Sequence, residues 1–131
     1  MLNKKGFTLV EIMIVVAIIA LLAAIAIPNL LRAKVSANDA LAKSTLRSLS
    51  TASETFATAN NGNYPASQAV LTTATPPYIN QNYCDTTTSG FKYTCTFGTG
   101  TYTFVATPVT VLTTGTTTFT MATGGILTPV Q

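Results

Sequence analysis

One carboxylate stands where a charge is hardest to tolerate. Glu11 lies near the start of an apolar segment, and residues 12–27, which follow it, contain no polar side chain. A carboxylate in the core of a bilayer costs about 3 kcal/mol or more, and less where it lies close to the interface. Glu11 is therefore either an incidental interfacial carboxylate or a group that awaits a positive partner, such as a free amine from another chain. Ionisable residues inside membrane segments are functional by default, which favours the second interpretation.

Residues suited to acid–base or metal chemistry are otherwise scarce. The chain contains no histidine, and after Glu54 only Asp85 and Lys92 ionise, apart from cysteines and tyrosines. A general base is therefore missing, and no phosphate-binding loop or pair of carboxylates occurs. Two cysteines without histidine do not make a metal site, and no acidic cage for calcium follows Glu54. We expect no enzyme activity, no metal and no cofactor.

The charge balance argues against a nucleic-acid partner. The 131 residues include seven basic and four acidic side chains, a net charge of +3. Without Lys4 and Lys5 the balance falls to five against four, which is nearly neutral. The remaining basic residues do not cluster, whereas a nucleic-acid surface needs a basic patch.

The apolar segment is long enough to cross a membrane. Residues 7–31 are 25 positions, and a helix rising about 1.5 Å per residue then exceeds a hydrocarbon core of about 30 Å. Lys4 and Lys5 before it form a short positive region that should stay cytoplasmic. Residues 24–26, Ala-Ile-Ala, formally fit the cleavage site of a secretory signal, so removal there is an open alternative. The apolar pattern continues past that point, which favours a retained helix.

The stretch KKGFTLVEIMIVVAIIALLAAIAIP, residues 4–28, resembles the N-terminus of type IV pilins and of the pseudopilins of type II secretion. The similarity covers roughly residues 3–35. The positions that match the motif are Lys5, Gly6, Phe7, Thr8, Leu9, Glu11 and Pro28.

The resemblance implies how the N-terminus is processed and used. In this family a prepilin peptidase cuts after the glycine and methylates the new amino terminus. By resemblance, Gly6 is the cleavage residue, Phe7 becomes the N-methylated first residue, and Glu11 pairs with the Phe7 amine of a neighbouring copy. A buried charge paired in this way fixes the register of an assembly. Pro28 is the second residue of the motif that we assign to assembly.

Partners and location follow from the same resemblance. We expect a homo-oligomer in the form of a helical filament, a prepilin peptidase, an inner-membrane assembly platform, and membrane lipid before assembly. The chain would reside in the bacterial inner membrane first and in an extracellular pilus filament afterwards.

The helix is predicted to continue beyond the apolar segment, with a kink at Pro28 because proline removes one backbone hydrogen bond. A break near Ser36 is an alternative, since residues 36–39 resemble a capping box, but the spacing favours one helix. One face carries apolar residues at helical spacing, and we expect it to pack on a sheet rather than to form a coiled-coil seam. Asp39 and Lys43 are spaced for an ion pair. The apolar positions are Val35, Ala42, Leu46, Leu49 and Phe56.

The remainder of the chain predicts an antiparallel sheet. Gly62 and Pro65 end the helix. Aromatic residues alternate with threonine over residues 91–97 and 102–106, on either side of a Gly-Thr-Gly turn, which indicates a hairpin. A third strand is expected around Phe119 and Met121, and a fourth around residues 126–127. The class is therefore α+β. The threonine-rich outer face either packs in a filament or carries O-linked sugar.

Cys84 and Cys95 complete the predicted structure. A chain that crosses the membrane places them in an oxidising compartment, so we expect a disulfide, which would stabilise the fold by about 3 kcal/mol in the loop-entropy model. We divide the chain into a leader, a hydrophobic transmembrane or filament-core helix, an amphipathic half of the helix, a loop region and a sheet. The bounds are 1–6, 7–31, 32–59, 60–90 and 91–131.

Three functions fit these features: a structural pilus subunit, a pseudopilin of a secretion system, and a minor pilin that takes part in DNA uptake. The long threonine-rich sheet, the disulfide and the lack of an acidic cage favour the pilus subunit.

Overall fold

The computed structural model describes residues 6–130, which form two compact units divided between Ala33 and Lys34. One helix, α1, runs from Leu9 to Ala59 and contributes to both units. Since it continues through Ser36 without interruption, the expected single helix is confirmed and the alternative of a break is not.

The N-terminal unit presents an apolar helical surface. The best membrane-spanning window of α1 has a mean hydropathy of 3.0, and none of that window is buried. By length and composition this helix could cross a membrane. Pro28 lies inside the helix, which stays continuous around it. The large apolar side chains of the unit are more than half exposed, from Ile12 at 52% to Phe7 at 84%.

The C-terminal part of α1 buries the predicted apolar face. Val35, Ala42, Leu46 and Leu49 are buried, and the last three join a core with the aromatic side chains of the sheet. Phe56 is partly buried, and its ring meets the ring of Tyr78 edge-on at 5.5 Å between centroids. The face therefore packs on the sheet and is not a coiled-coil seam.

Five antiparallel strands form one sheet in the order β1-β2-β3-β4-β5. Alternation explains their burial, because successive side chains of a strand point to opposite faces. The inner face carries the large buried residues of the core. Its members are Phe91, Tyr93, Tyr102, Phe104, Ala106, Phe119 and Met121. The strand bounds are Thr87–Thr88, Phe91–Gly98, Thr101–Pro108, Thr118–Ala122 and Ile126–Val130.

The turns use glycine where the backbone requires it. The β2–β3 hairpin closes with Thr99 and Gly100, the latter at φ +76°, and the β4–β5 turn contains Gly124 and Gly125 at φ +82° and +74°. L-residues with a side chain rarely adopt these angles. The helix ends similarly, with Asn61 at φ +56° and Gly62 at φ +84°.

The stretch 60–90, expected to be a loop region, also contains secondary structure. A short helix, α2, spans Gln68–Thr73, and β1 adds Thr87–Thr88 to the sheet edge. The six residues of α2 hold Leu71, which is fully buried. The buried Gln68 amide donates to the carbonyl of Gln81 and accepts from two backbone N–H groups farther along the chain. These contacts are long-range, so local propensity gave no sign of them.

Cys84 and Cys95 form a disulfide with their Cα atoms 5.4 Å apart. Cys95 lies in β2, and Cys84 lies in the loop before β1. The bond therefore ties the end of the 60–90 stretch to the sheet.

Candidate processing and assembly site

Gly6 and Phe7 precede the helix in non-helical backbone. Phe7 is 84% exposed, and a Cβ placed on Gly6 would meet no atom within 4 Å. Exposed, irregular backbone is the form of substrate that proteases cut most readily. The geometry therefore leaves the Gly6–Phe7 peptide bond accessible. Lys4 and Lys5, the predicted basic flank, lie outside the described residues.

Glu11 and Thr8 cap the start of α1. The Thr8 backbone N–H donates to Oε2 of Glu11 at 2.8 Å, and the Thr8 hydroxyl donates to the same oxygen at 2.7 Å. The Glu11 N–H in turn donates to the Thr8 hydroxyl oxygen at 3.3 Å. This reciprocal pattern is a capping box, which satisfies N–H groups that the first turn of a helix leaves without partners.

The cap leaves part of the carboxylate free to act. Both Thr8 contacts use Oε2, and no residue in the range 6–130 donates a hydrogen bond to Oε1 of Glu11. The side chain is exposed. An anion in the first turn is also stabilised by the positive end of the helix dipole. The arrangement holds Oε2 in place and leaves Oε1 without a hydrogen-bond donor among the described residues.

Thr8 has a capping role that its place in the sequence indicates. Thr8-Leu-Val-Glu11 has the spacing of a capping box directly before an apolar run. The apolar surroundings of Glu11 indicate a carboxylate that awaits a positive partner, whereas within the chain it already accepts hydrogen bonds from Thr8.

Pro28, the other predicted assembly residue, is exposed in the middle of the apolar surface. It has no backbone N–H, so the carbonyl of Ala24, four residues earlier, lacks its helical donor. In lipid such a carbonyl needs another partner. Pro28 lies seventeen residues after Glu11, which is about 25 Å along a helix, so the two predicted assembly residues do not form one site.

A second polar cluster, which the sequence did not indicate, surrounds Glu54 in the C-terminal unit. Its Oε1 accepts hydrogen bonds from the Tyr102 hydroxyl at 2.7 Å and from the Gly124 N–H at 2.9 Å. Its Oε2 accepts from the Tyr64 hydroxyl at 2.9 Å. We call these four residues the Glu54 cluster. Burial raises the pKa of Glu54, but the hydrogen bonds from Tyr102, Gly124 and Tyr64 together lower it below its usual value.

The hydroxyl of Tyr102 stands between two oxygens. Because it donates its one proton to Glu54, the Ser50 hydroxyl, 2.7 Å away, must donate to Tyr102. Burial, as the main cause, and the Glu54 carboxylate together raise the pKa of Tyr102 to about 12. The Glu54 hydrogen bond also raises the pKa of Tyr64. The cluster therefore joins α1, the loop after it, β3 and the β4–β5 turn through one carboxylate.

Neither polar cluster has the composition of a catalytic or metal centre. Within residues 6–130, no three histidine, cysteine, aspartate or glutamate side chains come together as metal ligands would. The Glu54 cluster pairs its acid with donors that hold it in place. It is a structural device that connects four parts of the C-terminal unit.

A family model matches the N-terminus of the chain. The prokaryotic N-terminal methylation motif covers residues 1–27, which include Gly6, Phe7, Thr8 and Glu11.

Relatives extend the similarity over most of the chain. The type IV wide pilus major component PilA4 of Thermus thermophilus is 38% identical over 112 residues, which is 82% of this chain and 85% of that protein. The type IV major pilin PilA of Myxococcus xanthus is 52% identical over 54 residues, 41% of this chain and 24% of that protein. The type II secretion system core protein G of Pectobacterium carotovorum is 38% identical over 69 residues, 53% of this chain and 44% of that protein.

No solved structure matches the chain significantly. The relative from Thermus covers more than two thirds of both proteins, and the methylation motif coincides with the capped start of α1. The long apolar helix followed by a helix-packed antiparallel sheet has the α+β architecture that the sequence predicted. The chain therefore belongs to the type IV pilin and pseudopilin family, whose members are structural subunits and not enzymes.

Proposed function

We propose that this protein is the structural subunit of a type IV pilus and polymerises through its N-terminal hydrophobic helix into an extracellular filament. The observation that carries the proposal is the apolar surface of residues 9–31, which the chain leaves exposed, with Glu11 in its first turn. Such a surface needs an apolar environment, which lipid supplies to a single subunit and neighbouring helices supply in a filament.

Cleavage after Gly6 would prepare the subunit for assembly. The new N-terminal amine would then belong to Phe7. The next residue is Thr8, which caps the helix together with Glu11. A prepilin peptidase is the enzyme proposed for this step, and the assembly platform of the inner membrane would then extract the subunit. The chain would thus pass from the inner membrane to an extracellular filament.

Glu11 would select for ordered assembly. As long as the subunit is alone in lipid, the carboxylate is costly. In a filament, the Oε1 atom that no described residue contacts can accept the Phe7 amine of a neighbouring copy. A charge pair in an apolar core is strongly unfavourable when one partner is missing. Only the axial register that brings amine and carboxylate together would then be stable.

Two relatives support the pilus over other filaments. The Thermus protein is described as a major component of a wide pilus and the Myxococcus protein as a major pilin. The Thermus protein is similar over 82% of this chain, so the likeness extends beyond α1.

A role as a pseudopilin is the second candidate. The likeness to core protein G of a type II secretion system covers 53% of this chain, at the same identity as the Thermus pilin. A pseudopilin would form a short structure that stays in the cell envelope, whereas a pilin would form long filaments outside the cell.

Filaments sheared from cells distinguish these functions. We expect electron microscopy to show long filaments, and mass spectrometry of their subunit to identify this chain. If filaments of wild-type cells lack the chain and it remains entirely in the envelope, the pilus function is wrong and the pseudopilin function is favoured.

A further inference from the structure

An apolar loop projects from the C-terminal unit between β3 and β4. Its side chains Val109, Val111 and Leu112 are 60%, 61% and 78% exposed. We call residues 109–112 the apolar loop. The sequence VTVL contains no charged residue, and three of its four side chains are large and apolar. Single exposed apolar residues are common, but three in four consecutive positions form a patch that calls for a partner.

The loop is held in this conformation. The Val109 N–H donates to the Gly90 carbonyl at 2.9 Å, and the Leu112 N–H donates to the Gly115 carbonyl at 2.8 Å. Leu112 has a φ of +65°, which a residue with a branched side chain rarely adopts. The backbone thus accepts strain at the residue whose apolar side chain is the most exposed of the loop. Such strain persists where the surrounding structure imposes it and often marks a functional surface.

Hydrogen bonds attach the segment directly after the apolar loop to the part of α1 that belongs to the same unit. The Asn38 side chain donates to the Thr114 carbonyl at 2.8 Å. The Thr116 N–H and hydroxyl donate to the Asp39 carboxylate at 3.0 and 2.6 Å. In the sequence, Asn38 follows the end of the apolar segment at Leu31 by only seven residues. The seven residues from Leu31 to Asn38 can span at most about 25 Å, which limits how far this attachment point lies from the end of the apolar segment.

The charges near this point suit a membrane surface. Arg32 and Lys34 follow the apolar segment, and no acidic residue lies between Leu31 and Asp39. The Asp39 carboxylate is occupied by Thr116. Basic residues beside an apolar patch are the combination by which proteins bind the interface of an anionic bilayer.

We propose that the apolar loop is a second lipid contact of the unassembled subunit, which inserts Val109, Val111 and Leu112 into the interface of the membrane that the helix crosses. This inference rests on the membrane stage of the proposed function. The occupant is lipid, because the loop has no charge of its own, and because the stretch of chain between the apolar segment and Asn38 carries Arg32 and Lys34 and no acidic residue. A second copy of the chain on the same patch would be a different function.

The chain offers a matched control for this contact. Ile126 is 61% exposed, as is Val111, and it lies beside the β4–β5 turn, whose Gly124 binds Glu54. Glu54 follows Asp39 by fifteen residues, which is about 22 Å along a helix. Val111 and Ile126 thus have equal exposure at opposite ends of the C-terminal unit.

The test places an environment-sensitive fluorophore on single cysteines in the full chain. The three variants are Val111→Cys, Ile126→Cys and Val15→Cys. Each is labelled without reduction, so that the disulfide stays intact. Each is then reconstituted in phosphatidylethanolamine–phosphatidylglycerol nanodiscs that contain brominated lipid, which quenches a fluorophore in contact with the bilayer. At one chain per nanodisc, we expect quenching at positions 15 and 111 that is several-fold stronger than at position 126.

Each other result overturns the inference in a distinguishable way. Quenching at position 15 with equal, weak quenching at 111 and 126 would reject the loop contact and leave the membrane stage intact. Absence of quenching at position 15 would reject the membrane stage and the loop contact with it. A spectral shift at position 111 that appears only with several chains per nanodisc, without quenching by lipid, would identify a second copy as the occupant.

Discussion

The Tyr102 hydroxyl donates a 2.7 Å hydrogen bond to Oε1 of Glu54, and so connects β3 to the last turns of α1. The two residues are 48 positions apart in the chain. The contact joins two distant parts of the C-terminal unit, and its protonation state links stability to pH.

Acid should weaken the domain through Glu54. Because the pKa of Glu54 is lower in the folded chain than in the unfolded one, the carboxylate stabilises the fold above its unfolded pKa of about 4.3. This stabilisation is lost as the pH falls through the lower, folded pKa. The free energy of unfolding of the wild type should fall between neutral pH and a pH below the folded pKa of Glu54. We expect Glu54→Gln to make this fall smaller. Denaturation in detergent micelles, followed by tyrosine circular dichroism because the chain has no tryptophan, measures it.

Asp85→Asn is the matched control for that experiment. Asp85 is exposed and has a φ of +60°, which asparagine also tolerates, so the substitution removes one negative charge without strain. If Asp85→Asn changes the acid dependence as much as Glu54→Gln does, the Glu54 cluster is not its source.

Alkali should weaken the same contact through Tyr102. Its pKa is raised to about 12, so its stabilisation is complete below the unfolded pKa of about 10 and is lost as the pH rises through the folded value. We expect Tyr102→Phe to destabilise the fold at neutral pH by about 1.5–3 kcal/mol, the range for a hydrogen bond to a charged group. The variant should also lose part of the alkaline dependence. Tyr78→Phe, which keeps the ring that meets Phe56, is the control and should change neither quantity.

The disulfide should contribute measurably to stability. Cys84 and Cys95 close a loop with a sequence separation of 11, and the loop-entropy model gives about 3 kcal/mol for such a bond. We expect the free energy of unfolding of the double variant Cys84→Ser/Cys95→Ser to be lower by that amount, as measured by denaturant unfolding. A double variant as stable as the wild type would show that the bond does not constrain the unfolded chain. In a separate measurement, thiol labelling of the unreduced, denatured wild type should find neither cysteine free.

Periodicity predicted the local elements of the fold correctly. The apolar spacing located the buried face of α1, and the alternation of aromatic residues and threonine located β2 and β3. Both patterns reflect the geometry of a single element, so the sequence carries them directly.

Long-range contacts were not predictable in the same way. Asp39 and Lys43 are spaced for an ion pair, but the Asp39 carboxylate accepts from Thr116 and the Lys43 ammonium lies 4.9 Å from the centre of the Phe119 ring. Partners from β4 and from the loop before it displaced the local pair, because the first contact satisfies a backbone N–H and the second is a cation–π interaction. The Glu54 cluster and β1 depend on the tertiary fold in the same manner.

Processing gives a direct prediction for the N-terminus. We expect the mature subunit to begin at Phe7 with one methyl group on its amine, because Gly6 stands between a basic leader and the apolar segment in exposed, non-helical backbone. Intact-mass analysis of protein from the native cell measures this. A mature protein that begins at Met1, or after Ala26 as a secretory signal would give, contradicts the prediction.

The function of Glu11 can be separated into its cap and its charge. Glu11→Gln retains an oxygen that can accept from the Thr8 N–H and hydroxyl, but it has no charge to offer an amine. Glu11→Ala removes both, and Thr8→Val removes the hydroxyl of the cap while the Glu11 charge remains. If pairing with the Phe7 amine drives assembly, Glu11→Gln and Glu11→Ala should both abolish most filaments, since an unpaired buried charge costs about 3 kcal/mol or more.

Thr8→Val should assemble well by comparison, and Glu11→Asp should be intermediate because its shorter side chain reaches the amine poorly. The measurement compares the yield of sheared filaments with the pool of membrane-bound subunit in the same cells. Assembly of Glu11→Gln at the wild-type level would exclude the charge pair and leave the cap as the function of Glu11. If Thr8→Val fails as completely as Glu11→Ala with an unchanged pool, the start of the helix, and not the charge, limits assembly.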